Sequence, residues 1–296
     1  RFRRSFGRVK SQFRGAIPKH FPLVQHLLDL YPATAAYSLR ALSAGWVAGD
    51  VVLVRRSSDS AQLGFTANEI TSGALTTWTG AGDGFVVTWY DQSGNANNAT
   101  QATTTEQPKI VSAGVLVVGG LDFDGVDDEL LFTGGGLDIL KNVGYGQSFN
   151  VGTSREVGMS SGRLLFFSNP SASSRYVVGD VATSNATFRL GGRRLDADSF
   201  NSGTASSPHG NAESLWTGFL NFADAEAYLF QDGANVATDL TFQTAGNTSN
   251  TASDAGSGIG TGAFDGLIRE VIIYNTDQTS VRTGIEGNMN AAYSIF

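Results

Sequence analysis

The sequence predicts an all-β protein: an antiparallel sandwich closed by a short C-terminal helix and preceded by an extended basic arm. Three observations predict it. Apolar alternating runs end repeatedly in tight turns, in VLVRRSSD (52–59), FVVTWYDQSGN (85–95), LDFDGVDD (121–128) and FDGLIREVIIYN (264–275). The 37 glycines beside only 16% charged residues suit a turn-rich β chain. At 296 residues the chain can bury a large core without covalent staples, and it has no Cys to form them.

The elements follow in order. HFPLVQHLLDLY (20–31) predicts a short helix with Leu23, Leu27 and Leu30 on one stripe, ended by Pro32. Thr34 is placed to cap a helical turn within 34–42 that carries Tyr37 and Leu42 inward. VVLVRR is a strand that turns at Ser57, Ser58 and Asp59. Residues 67–80 form a connection, helical around Leu75 to Trp78, and FVVTWY (85–90) is a buried strand.

A hairpin is expected over 108–118 across Ser112-Ala113-Gly114, and a second where DFDG (122–125) turns into ELLF (129–132). Residues 134–161 carry no clear pattern. RLLFFS, RYVVGD, TFRLGG, SLWTGFLNF, EAYLFQDG and NVATDLTF are then spaced as sandwich strands, with Asp232-Gly233 as a hairpin turn. The polar stretch 243–258 is expected to be an exposed excursion.

In the closing strand Leu267, Val271 and Ile273 are assigned to one face and Ile268, Ile272 and Tyr274 to the other. Both faces are apolar, so the strand should be covered twice. A helix from about Ser280, with Val281, Ile285 and Met289 at helical spacing, is the candidate second cover. The expected division is an arm with a short helix over 1–32 and one sandwich domain over 33–296.

Charge is split unevenly. Residues 1–19 carry seven basic groups and no acid, which leaves 13 basic against 27 acidic groups beyond them. A basic arm on an acidic body implies docking onto something acidic. Three readings remain: a protein groove, a nucleic acid, or the chain's own acidic body. The spacing of Phe2, Phe6 and Phe13 favours anchoring in a protein groove, with Arg3, Arg4, Arg8 and Arg14 on acidic or backbone oxygens of a neighbouring subunit; nucleic acid ranks last. No apolar run reaches the roughly 18 residues of a membrane span. The chain opens at Arg1, so a preceding segment is expected.

Few residues suggest chemistry. Sandwich glucanases often supply their carboxyl pair as E-x-D-x-x-E, and no such run occurs; the nearest pair, Asp224 and Glu226, would share one face of a strand, and a polar strand edge is the favoured alternative. Asp122, Asp124, Asp127 and Asp128 crowd one hairpin and as a set suggest Ca²⁺, although ordinary turn chemistry is favoured because EF-hand spacing is absent. An exposed ring at Trp89, Tyr90 or Trp216 would stack on a sugar face. Arg55 and Arg56 point to opposite faces of their strand, one of them pairing with Asp59 or Asp91. His20, His26 and His209 show neither metal nor triad spacing, and no phosphate-binding glycine motif is present. No cofactor other than Ca²⁺ is expected.

Together the signatures resemble the concanavalin A-like lectin/glucanase superfamily, the jelly-roll sandwich of laminin-G-type modules. FDGLIREVIIYN followed by VRTGIEGNMNAAY is similar to the last strand and terminal helix of laminin-G-like modules in bacterial and phage proteins. AAYSLRAL, VRRSSD and WYDQSGNANNATQ resemble the catalytic domain of family 54 α-L-arabinofuranosidases and a group of phage virion proteins carrying the same block. The matches span residues 33–293. That enzyme family has disulfides, including a pair of adjacent cysteines, and this chain has no Cys.

The resemblance implies a phage virion protein displayed on a capsid or tail, anchored to other virion proteins by its arm and present as a homo-oligomer or in repeated copies. It also implies binding of a host surface glycan. The alternatives are an extracellular carbohydrate-binding module without a virion role and an arabinofuranosidase-type hydrolase. Surface ion pairs contribute only about 0–1 kcal/mol each, so the aromatic residues of the arm must supply most of the anchoring. Deletion of residues 1–19 is therefore expected to leave the melting temperature of the sandwich nearly unchanged and to abolish incorporation into the particle. Truncated chains found at normal occupancy in purified particles would make the arm a passive tail.

Overall fold

The computed structural model describes residues 25–154, 162–168, 174–180, 187–206 and 212–296. The arm, with Phe2, Arg3, Arg4, Phe6, Arg8, Phe13 and Arg14, lies outside the described residues, as do His20, Leu23 and His209. A short helix α1 (Leu27–Leu30) leads into β1 (Ala35–Ser38), β2 (Asp50–Arg56) and β3 (Gln62–Thr66). Helices α2 (Ala67–Thr71) and α3 (Ala74–Thr79) precede β4 (Gly84–Trp89), β5 (Ala99–Thr100), β6 (Lys109–Ser112), β7 (Val115–Leu116), β8 (Leu121–Asp124) and β9 (Leu130–Phe132). The second half contributes β10 (Tyr145–Ser154), β11 (Arg163–Ser168), β12 (Ser174–Asp180), β13 (Thr187–Gly192), β14 (Asn201–Ser206) and β15 (Ser214–Asn221). It closes with β16 (Glu226–Gln231), β17 (Ala234–Asp239), β18 (Gly258–Thr261), β19 (Asp265–Tyr274) and α4 (Arg282–Tyr293).

All pairings among the described residues are antiparallel, and they build two layers. The first runs β17-β16-β15-β10-β19, with β1 and β8 sharing the far edge of β19. The second runs β14-β13-β12-β11-β18-β9-β5-β4-β2-β3. Strand β6 pairs with both β4 and β8 and so joins the layers at one side. The main core fills the space between them; its centre is a chain of rings from Trp89 through Tyr37 and Phe132 to Phe167, with centroid separations of 5.9, 5.9 and 5.1 Å. A second core lies on the other face of the first layer, where Phe149, Phe219, Ile272 and Tyr274 meet Leu27 of α1 and Ile285 and Met289 of α4. The closing strand is covered twice, and α4 is its second cover.

Several expectations are corrected. Residues 35–38 form a strand instead of a helical turn, because β19 offers them an open edge: Ala35 opposes Ile273 and Ser38 opposes Glu270. Tyr37 and Leu42 are nonetheless fully buried. On α1, Leu28 is buried and Leu30 exposed, so the apolar stripe is one residue out. LDFD and LLF do not form a hairpin; β8 pairs with β19 and β9 with β18, one in each layer.

On β19 the face assignment changes at a bulge. Val151 opposes Glu270 but Gly152 opposes Ile268, which leaves Arg269 unpaired in that register and moves Ile268 into the main core with Val271 and Ile273. The 243–258 stretch is not a free excursion. Thr248, Ser253 and Ser257 are buried, and the fully buried Arg175 donates to the Thr251 carbonyl at 2.9 Å and pairs with Asp196 at 2.9 Å. Two hairpin turns form as predicted, at Ala113-Gly114 (φ 48° and 79°) and Asp232-Gly233 (φ 51° and 79°), both in the left-handed geometry of two-residue turns.

The free edge of β1 is satisfied by side chains of the WYDQSGN segment. Asp91, fully buried, accepts from the amides of Ala36 (2.8 Å), Ser93 (2.9 Å) and Asn97 (3.0 Å) and from the Ser93 hydroxyl (2.8 Å). Gln92 donates its amide N–H to the Ala36 carbonyl (2.8 Å) and its side chain to the Ser38 and Arg40 carbonyls (2.9 and 3.0 Å). Its side-chain oxygen accepts from the Leu42 amide (2.8 Å). Removing the Asp91 carboxylate strands several buried donors at about 1–3 kcal/mol each. Asp91→Ala is expected to destabilise the protein by about 3–5 kcal/mol, and Asp91→Asn by less, since one oxygen still accepts. Urea unfolding checks this, and a loss below about 1 kcal/mol for the alanine variant would contradict it.

Candidate functional site

A chemically diverse cavity lies where β4, β6 and β8 run side by side. Phe85, Thr104, Thr105, Gln107, Lys109, Asp122, Asp124 and Asp128 line a pocket of about 360 Å³. Alternation along β4 sends Val86 inward and leaves Phe85 half-buried on the pocket side. Asp122 and Asp124 share a face of β8 for the same reason, and Asp122 opposes Lys109 in register.

Arg55 on β2 organises one wall. It donates to the Gln107 side-chain oxygen (2.8 Å) and the Thr104 carbonyl (2.9 Å), with its guanidinium carbon 4.7 Å from the Phe85 centroid. Burial pulls the Arg55 guanidinium below its usual value. Gln107 in turn donates to the Gln101 carbonyl at 2.9 Å. Lys109 stands 5.6 Å from the Phe85 centroid and pairs with Asp83 at 3.1 Å. Arg56, on the opposite face, forms a two-point pair with Asp59 at 2.7 and 2.8 Å, as the alternation of that strand predicts.

The opposite wall is acidic. Carboxylate oxygens of Asp124, Asp127 and Asp128 lie within 4.8 Å of one another. Of the four carboxylates expected as a cation-binding set, Asp122 falls outside this cluster, because the turn after Asp124 folds 127 and 128 back over it. Asp124 accepts from the amides of Val126 (2.8 Å) and Asp127 (3.4 Å), while Asp128 accepts from the Asp124 amide (3.1 Å). These are the bonds of turn chemistry. Three carboxylate oxygens fall short of the six to eight oxygens that Ca²⁺ takes, so backbone carbonyls or water would have to complete such a site. Burial, and then the neighbouring Asp124 charge, push the Asp128 carboxyl up to about 7.

The other candidate residues lie elsewhere. Trp89 and Trp216 are 0% and 2% exposed, and Trp216 stacks on Phe188 with centroids 3.9 Å apart. Neither ring can stack on a sugar; both fill the main core, because even positions of β15 point between the layers and the bulge at Val87 in β4 turns Trp89 to the same side as Val86. Tyr90 is half-buried and lies outside the pocket lining. Asp224 and Glu226 do not share a strand face: Asp224 sits in the turn before β16, accepting from Asn221 at 2.9 Å, and Glu226 accepts from the Tyr228 hydroxyl at 2.8 Å. The sequence reading missed Phe85, Thr104 and Gln107. Taking FVVTWY as wholly buried hid the half-buried positions Phe85 and Val87, which the apolar run itself does not distinguish from Val86.

No family model matches the chain, and no curated protein matches it in sequence. Among solved structures, it is similar to a GH54 α-L-arabinofuranosidase soaked with a cyclic sulfate inhibitor (15% identity, TM-score 0.48, 88% of this chain and 63% of that one). The chain thus spans less than two thirds of the length of that enzyme. It is also similar to the CBM40 of Ruminococcus gnavus IT-sialidase bound to α2,3-sialyllactose (13% identity, TM-score 0.41, 58% and 93%). A third similarity is to Trypanosoma rangeli sialidase (16% identity, TM-score 0.45, 69% and 31%). Among the described residues no helix is long and apolar enough to cross a membrane.

The raised Asp128 carboxyl gives a pH signature. Its folded value of about 7 stands above the ordinary 3.8, so the folded chain keeps a proton that the unfolded chain releases. This contribution to stability is complete below about pH 4 and is lost as the pH rises through about 7. A difference of this size corresponds to roughly 4 kcal/mol at most, and solvent screening reduces it to about 1–2 kcal/mol. Asp128→Asn keeps an oxygen for the Asp124 amide and cannot ionise. It is expected to match the parent near pH 4 and to exceed its stability at pH 8, in melts recorded across that range. Parallel stability-pH curves for the two proteins would refute the assignment.

Proposed function

We propose that the chain is a carbohydrate-binding β-sandwich carried on a phage particle. The observation that carries the binding half is the pocket around Phe85. A sugar ring presents an apolar face and a rim of hydroxyls, and it is held where an aromatic face stands beside convergent acceptors and donors. Phe85 supplies such a face, Asp122 and Asp124 supply carboxylate acceptors, and Thr104, Thr105 and Gln107 supply hydroxyl and amide groups. Arg55 pre-orients Gln107 and so lowers the ordering cost of binding.

The charge contrast between residues 1–19 and the rest supports the anchoring half, because a basic, phenylalanine-bearing segment suits an acidic groove on a neighbouring subunit. Repeated copies on a symmetric particle would add avidity to a weak glycan contact.

Binding to an array of bacterial surface glycans tests the reading. The parent protein is expected to select a subset of glycans, with Phe85→Ala and Asp122→Asn each weakening binding by about tenfold or more. Both side chains are part-exposed, so the variants should keep the parental fold by circular dichroism. Uniform, weak signal across the array, or unchanged selectivity in Phe85→Ala, would overturn the proposal.

A further inference from the structure

A row of polar residues crosses the outer face of the second layer. Thr261 on β18 opposes Arg163 on β11, Arg163 opposes Gly179 on β12, and Gly179 opposes Arg189 on β13. The two arginines are two strand spacings apart, about 9–10 Å between backbones. No side chain separates them: a Cβ at Gly179 would meet the Gly162 carbonyl oxygen at 2.6 Å, so the position tolerates only glycine. The side chains of Leu165, Phe167, Val178, Phe188 and Leu190 turn the opposite way, into the main core.

This row holds three buried donors without acceptors. The Nε atoms of Arg163 and Arg189 and the Oγ1 of Thr261 are all buried, and none has a hydrogen-bond partner. Among the described residues neither guanidinium forms an ion pair with a carboxylate. Each instead lies against a ring, Arg163 at 4.1 Å from the Phe166 centroid and Arg189 at 5.3 Å from that of Phe200. Stacking fixes a guanidinium plane and leaves its edge to donate. Burial pulls both guanidinium groups below their usual values, and the charge of Arg189 lowers Arg163 further. Two like charges held together in a chain of net charge −7, with acidic groups in excess, is the opposite of a solvated arrangement.

We propose that Arg163, Arg189 and Thr261 form a binding site for an oxyanion: a carboxylate, sulfate or phosphate group. Such a group, seated above Gly179, accepts from both guanidinium edges and from the threonine hydroxyl and removes the repulsion between the arginines. The site lies on the outer face of the second layer, whereas the pocket around Phe85 is lined from β4, β6 and β8, so it stands independently of that pocket.

Calorimetric titration and thermal melts of the full chain test it, with sulfate, phosphate, acetate and glucuronate compared with chloride at matched ionic strength, and glucose as the neutral control. At least one oxyanion is expected to bind saturably and raise the melting temperature, and glucose is not. The double variant Arg163→Gln/Arg189→Gln should weaken that binding by about a hundredfold, and Arg163→Lys, which keeps charge but loses the fork, by about tenfold. In chloride alone Arg189→Gln should be at least as stable as the parent, because like-charge repulsion is relieved; a purely packing role predicts a loss instead. A response confined to glucuronate would identify an acidic saccharide and one confined to sulfate or phosphate a free inorganic anion; either supports the site. Equal melts in all salts, or undiminished binding by the double variant, would overturn it.

Discussion

The structure depends on how the second edge of β1 is hydrogen-bonded. This four-residue strand, fully buried along its length, pairs with β19 on one side and, among the described residues, has no strand on the other. A buried edge with unpaired amides and carbonyls costs more than a strand this short can offset. Asp91 and Gln92 take the place of the missing strand, one accepting and the other both donating and accepting. The Tyr37 hydroxyl donates to the Asn97 carbonyl from the same loop. The WYDQSGN segment is therefore a clasp between the start and the end of the chain, and its polar residues are spent on backbone.

The same economy governs the first layer, which is apolar on both faces. Strands β10, β15 and β19 divide their side chains between two cores, and the bulge at Arg269 lets Ile268 join the inner one. Where α4 crosses this layer it carries buried charge. Glu270, fully buried, receives two bonds from Arg40 (2.8 and 2.9 Å) and hydroxyl bonds from Ser38 and Tyr293 (both 2.7 Å). Glu286 is held by Thr217 at 2.9 Å and by Arg282 at 2.5 Å. A buried carboxylate is tolerated only when its lone pairs are filled in this way, which makes the helix position specific as well as stable.

The two proposed sites stand out for different reasons. The Phe85 pocket gathers an aromatic ring, carboxylates, hydroxyls and an amide around one cavity. The Arg163–Arg189 row keeps buried donors unmatched. On an acidic chain that row is a local reversal of charge, and the energetic cost of holding it is the physical argument for a ligand.

The sequence by itself determined the all-β class, most strands after Arg163, the hairpin turns at Ala113-Gly114 and Asp232-Gly233, the doubly covered closing strand and the terminal helix. Each of these is a local property: alternation, helical spacing, or a turn that needs positive φ. The sequence narrowed the partner of one strand arginine to Asp59 or Asp91, and the structure pairs Arg56 with Asp59. Only the tertiary structure decided the rest. Whether 34–42 coils or extends depended on the edge of β19, more than 230 residues away in register. Trp89 and Trp216 were legible as aromatics on strands, but which strand face is inward is set by the opposing layer. The bulge at Arg269 reassigned a face that strict alternation had placed wrongly. Phe85 with Gln107, and Arg163 with Arg189 and Thr261, meet only across strand registers. Pairing between distant strands is a non-local choice that no window of sequence contains.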